Sequence, residues 1–265
     1  QPDPFNFARL RERLPETRAL LARIESNPSA LTREVIARIK PYAHDGEFRT
    51  KLTVVATGGS DGFSPGRGQL YVALDYFRDD WDGLVILAAH ELYHAVQGIA
   101  LENAGVQDPL TGRAREVSRL LLSTLKEGTA SMVGDPLTIA MPGSYNAWFA
   151  EKFRRNLNRI PQNFALFETM LFRLTYDDVV FDALYPIGFS GGWDSPLYFV
   201  GYRMAKVIER YDGRDAIRRA WGRPPVEFFR RYAELARQHG DDGEVIPLGE
   251  ATRKILERSA DASKR

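Results

Sequence analysis

His90, Glu91 and His94 stand in the arrangement H-E-x-x-H, inside the apolar stretch Gly83–Leu101, which reads GLVILAAHELYHAVQGIAL. On an α-helix, residues four apart sit one turn above each other, so both imidazoles leave the same face. Two neutral imidazoles at that separation can hold one Zn²⁺, and a glutamate beside the first is placed to take a proton from water. The spacing therefore implies one zinc per chain and a hydrolytic reaction with Glu91 as general base. The motif is incomplete, because a catalytic zinc takes three protein ligands and keeps a fourth position open.

The third ligand must come from elsewhere in the chain. Glu102 follows His94 by eight residues, about 12 Å along a helix, which is too far for a shared metal. The metzincin completion needs a glycine and a histidine three and six residues after the second histidine, and here those positions are Gln97 and Ala100. His44 and His239 lie in polar stretches and read as surface histidines. Glu127 is the better candidate, in LKEGTA, among the apolar neighbours Leu121, Leu122 and Leu125. A carboxylate on such a face needs a partner, since a lone charge in apolar surroundings is very costly. The small Gly128 and Ala130 would let this helix approach others closely. Asp135 is next in line.

These residues have to be positioned by regular elements. Phe5 to Ile39 reads as amphipathic helices over about 5–13, 15–26 and 29–40. Leu52–Thr57 is a strand running into the Gly-rich loop at 58–62, and Gln69–Phe77 is a second strand. The motif helix follows, with Asp82 as expected N-cap. A break at 103–109 separates it from a long helix over 111–133. Helices over 144–160 (Ser144 as N-cap, Pro161 as stop), 162–176, 195–211, 214–221 and 224–238 complete the pattern. The stretch 185–195 reads as a loop, and the tail after Gly240 as polar and partly mobile. The expectation is an α+β, predominantly helical fold: an N-terminal lobe, 1–105, with helices, small sheet and motif helix, and a helical C-terminal lobe, 106–265, carrying Glu127, both forming one catalytic unit.

With His90, Glu91, His94 and Glu127 in place, the chain resembles the gluzincins, zinc metallopeptidases with H-E-x-x-H and a glutamate ligand on a following helix. HELYHAVQ and KEGTA look most like bacterial zinc-dependent peptidases that are poorly characterised. The specific likeness covers about residues 50–135. It implies a zincin-like fold, a peptide or protein substrate, and an edge strand that binds extended substrate by backbone pairing. Here that strand would be Gln69–Phe77, with Tyr71, Val72 and Ala73 as substrate-binding residues. Gluzincins often stabilise the oxyanion with a Tyr or His from the second lobe. Tyr198 and Tyr202, one turn apart in SPLYFVGYRMAKVIE, fit that role. One departure is Ser131, where the thermolysin-like branch has an Asp supporting the first histidine. Asp135 or a backbone carbonyl would have to orient that ring instead.

Composition narrows the alternatives. The chain has no cysteine, which removes disulfides, thiol nucleophiles and Cys-ligated metals. A net charge of +1 gives no reason to expect nucleic acid as partner. The arginines beyond Arg203 are mixed with acids and read as solvated faces, and no uninterrupted apolar run predicts an integral membrane segment. The start at Gln1 without Met, together with peptidase chemistry, leads to an expected extracytoplasmic location, periplasmic or secreted. Two other readings stay open: a zinc-dependent amidase acting on a non-protein substrate such as a peptidoglycan stem, and a catalytically silent zinc-stabilised binding protein. An intact Glu91 argues against the second.

Overall fold

The computed structural model describes residues 3–44, 49–66, 69–103 and 110–262. The start of the chain at 1–2 and most of the break expected at 103–109, with the 105/106 lobe boundary, lie outside them. The described elements are α1 (Phe7–Glu12), α2 (Leu14–Ser26), α3 (Pro28–Ile39), β1 (Lys51–Val55), β2 (Gly62–Gly66), β3 (Gln69–Ala73), α4 (Trp81–Asn103), α5 (Gly112–Val133), α6 (Ser144–Asn158), α7 (Ile160–Tyr176), α8 (Phe181–Phe189), α9 (Pro196–Asp212), α10 (Arg214–Ala220), α11 (Pro225–Gln238) and α12 (Glu250–Ala262). The architecture is α+β with helix predominant and one small sheet. Residue contacts divide the chain into two units: residues 1–99 with 133–153, and residues 100–132 with 154–265.

In the first unit the sheet order is β1-β3-β2, with β1 parallel and β2 antiparallel to β3. Leu70 and Val72 of β3 are fully buried, while Tyr71 between them stacks on Phe63 of β2 at 5.0 Å between ring centroids. β3 ends at Ala73, where Leu74–Tyr76 tightens into a 3-10 turn, so the strand is shorter than the expected 69–77. Asp75 in that turn is buried and accepts from Arg9 Nε at 2.7 Å and from the Thr57 hydroxyl at 2.9 Å. These bonds tie the amphipathic N-terminal helix α1 to the sheet region.

α4 is buried along most of its circumference, from Leu84 and Ile86 to Tyr93 and Ala100. A helix that is apolar on most faces is one that packs inside the protein. By length and composition alone it would also pass as a membrane span, which the sequence reading did not anticipate. Two thirds of that apolar window, 67%, is buried within the protein, as in a core helix. Its N-cap is Asp80, not Asp82: Asp80 Oδ1 accepts from Gly83 N at 2.8 Å. The other oxygen, Oδ2, accepts from Asn146 N at 2.7 Å in the first turn of α6. One buried carboxylate thus satisfies orphan donors of two helices. Ser144, expected as the cap of α6, is already inside the helix.

Among the described residues, the regular elements of the second unit are all helices. Phe167 of α7 stacks on Phe229 of α11 at 5.4 Å, and Tyr232 both donates to Ile246 O and accepts from Ile246 N. Three sequence expectations change. Pro161 opens α7 rather than only stopping α6, because proline suits the first helical turn. Residues 181–189 form α8, despite Pro186 and Gly188. The polar tail folds as α12, whose Thr252, Ile255, Leu256 and Ala260 are buried. Spacing of three to four residues between those positions is a helical stripe that its charged neighbours obscured.

Candidate metal centre

His90, Glu91 and His94 all lie on α4. His90 is buried and the other two are half-buried. The two imidazoles stand edge to face with ring centroids 5.1 Å apart, as expected for side chains one turn apart. The chain just past α5 presses on this segment. A Cβ at Gly134 would come within 2.8 Å of His90 Cβ and of the Ile86 carbonyl oxygen, so only glycine fits. Asp135 follows, buried, and accepts from Leu137 N at 2.8 Å as the cap of a short 3-10 turn.

His94 Nδ1 lies 2.8 Å from Gln97 Oε1, and Gln97 is completely buried. An amide oxygen can only accept, so Nδ1 carries the hydrogen and Nε2 keeps its lone pair for a metal. In the sequence Gln97 stood out only as the residue that breaks the metzincin pattern. Its position one turn past His94 was the signal for this contact.

Glu127 lies on α5 and is half-buried. Within its unit α5 and α9 meet backbone to backbone. A Cβ on Gly128 would fall 2.2 Å from Gly201 C and 2.6 Å from Tyr202 N, and one on Gly201 would fall 2.1 Å from Thr124 O. Contact this close is possible only between two glycines, and it sets the register of Glu127 against α9. Ligand atoms of His90, His94 and Glu127 all lie within 4.8 Å of one another. Ligands about 2.0–2.2 Å from one tetrahedral metal stand roughly 3.3–3.6 Å apart. Two imidazoles with one carboxylate match the donor set of catalytic zinc, so this group could hold a metal.

The other sequence candidates are placed as follows. Tyr202 is buried and Tyr198 half-buried, with the Tyr198 ring 6.2 Å from Phe189. Tyr185, on α8, was not singled out by the sequence because 185–195 reads as a loop. It is partly exposed, and its phenol is raised above the ordinary value by burial and then by the charge of Glu127. Tyr145 on α6 was missed as well. It donates to Asp61 Oδ2 at 2.6 Å. Burial, Asp61 and then the charge of Glu91 hold it well above the ordinary phenol range, so it stays protonated. Both tyrosines became visible only through neighbours distant in sequence.

β3 is the middle strand, paired on both sides, so its backbone has no free edge for a substrate. Val72 and Ala73 are buried, and Tyr71 is stacked under Phe63. The expectation that 69–77 is an edge strand fails because Gly62–Gly66, to which the sequence reading assigned no strand, pairs with it. His44 is exposed, and His239 stacks on Tyr211 at 3.8 Å. Trp193 is exposed on its loop, where Asp194 is braced by Arg159 at 2.8 Å and by Asn156.

Residues 5–241 match a family model described as "Putative zinc dependent peptidase (DUF5700)". The chain belongs to this family. Membership covers most of both units, and it agrees with the zinc peptidase chemistry that the His90–His94–Glu127 group suits. No curated protein and no solved structure gives a significant match.

Proposed function

We propose that this protein is a zinc-dependent peptidase of gluzincin type, with His90, His94 and Glu127 as ligands and Glu91 as general base. The approach of the three ligand atoms to within 4.8 Å carries the reading. A zinc held there would polarise a scissile carbonyl and bring the pKa of its water towards about 7. Glu91, half-buried one residue after His90, takes the water's proton and passes it to the leaving amine. The developing oxyanion needs a further donor. Tyr185, whose phenol feels Glu127, joins Tyr198 and Tyr202 as candidates for it. Tyr145, whose phenol feels the charge of Glu91, stays protonated and directs its proton to Asp61.

The substrate's backbone runs along the outer edge of β2 rather than along β3. Gly62 at the start of β2 packs against Leu87, one turn before Glu91 on α4. β2 also carries Pro65, which has no N–H to donate, so pairing is confined to the residues on either side of it. Extracytoplasmic action belongs to the same proposal.

The test is zinc-loaded protein on a denatured proteome, with cleavage sites read by mass spectrometry. Wild type is expected to cut peptide bonds. Glu91→Gln is expected to bind zinc equally and cut nothing. An uncut proteome with stoichiometric zinc bound would overturn the peptidase reading in favour of a zinc-stabilised binding protein.

A further inference from the structure

The two histidines of a metal site need their rings held in one tautomer, and α4 contains such a device for one of them. Gln97 follows His94 by three residues, on the same face of the helix. Its side chain is fully buried, and Oε1 lies 2.8 Å from His94 Nδ1. The end of the amide that faces the ring decides which nitrogen keeps a lone pair. With Oε1 facing it, Nδ1 is the donor and Nε2 is bare; with the NH₂ end facing it, Nδ1 would accept and Nε2 would be capped by hydrogen. In the structure Oε1 is the end that faces the ring, as in the first case.

We propose that Gln97 is a positioning residue for the metal site, holding His94 as the Nδ1–H tautomer so that Nε2 is presented as a ligand before metal arrives. The inference rests on the reading of His94 as a zinc ligand and adds how that ligand is prepared. The partner is a neutral amide. It orients the ring without placing a negative charge behind it, whereas a carboxylate there would make the imidazole a stronger donor. Loss of such a partner typically costs about 10–100-fold in metal affinity.

The test uses the full chain labelled with ¹⁵N-histidine. Long-range ¹H–¹⁵N correlation spectra of metal-free wild type at mildly alkaline pH are expected to show His94 with protonated Nδ1 and bare Nε2. Gln97→Leu is expected to lose this single tautomer and to bind zinc about 10–100-fold more weakly in chelator competition. Gln97→Glu is expected to restore the Nδ1–H tautomer and at least wild-type affinity, which a purely space-filling role would not do. Failure of wild type to take up zinc would refute the site on which the inference rests. An Nε2–H tautomer in a wild type that does take up zinc would refute the role of Gln97 alone, and this measurement does not require any variant to fold.

Discussion

Gly128→Ala tests whether the crossing of α5 and α9 places the third ligand. The added Cβ would lie 2.2 Å from Gly201 C and 2.3 Å from Gly201 Cα, while ordinary van der Waals contacts begin at 3.4 Å. The shortfall is about 1.2 Å, and the obstacle is helix backbone, which has no rotamer to yield. The helices must therefore part by about an ångström. Overpacking of this kind costs about 1–3 kcal/mol, occasionally more. Alanine in a helix interior returns about 0.5–1 kcal/mol relative to glycine. The expected net loss is about 1–2 kcal/mol in urea denaturation of the metal-free protein. Zinc affinity should fall about 100-fold or more, because a shift of about 1 Å in Glu127 is half of a metal–ligand bond of about 2.0–2.2 Å. Gly98→Ala is the control. It lies on α4 with nothing within 4 Å of its added Cβ, and the same helix propensity should leave it neutral or slightly stabilised. If Gly128→Ala matched wild type in both stability and zinc affinity, the backbone contact and the placement of Glu127 derived from it would both be wrong.

Other outcomes can be checked with the same equipment. Asp80→Ala should destabilise by about 2–4 kcal/mol in urea, since it uncaps α4 and α6 together from a buried position. Tyr185→Phe should lower kcat with zinc affinity and KM unchanged if its hydroxyl serves the oxyanion; an unchanged kcat moves the role to Tyr198 or Tyr202. Asp212→Asn should cost about 1 kcal/mol at neutral pH, through loss of the paired bonds to Arg231 at 2.7 Å each. The Arg231 hydrogen bond lowers the Asp212 pKa in the folded protein, so the unfolded chain binds more protons on acidification. The contribution is therefore fully present above the unfolded carboxylate value and is lost as pH falls through the lowered folded one. Thermal melts of wild type and variant should accordingly converge only in strong acid.

The local chemistry was legible in residue order. H-E-x-x-H is a helical spacing, so the placing of His90 and His94 on one face of α4, with Glu91 beside them, followed from the sequence. The helices from α2 to α11 were mostly legible too, because their apolar stripes repeat every three to four residues. α12 hid its stripe among charges, and α8 hid behind a proline and a glycine. What only the tertiary structure decided is pairing between distant residues. Gly62–Gly66 carries glycines and a proline, which show no strand pattern in the sequence, and it is a strand only because β3 offers it partners. That pairing turned the expected edge strand into the centre of the sheet. Asp80 replaced Asp82 as a cap because α6 comes back to share it. Glu127 was one carboxylate among 35 acidic residues until folding brought it beside two imidazoles. Spacing along a helix is a local quantity, whereas the partners of Glu127, the surroundings of the tyrosines and the order of the strands depend on which segments the core brings together.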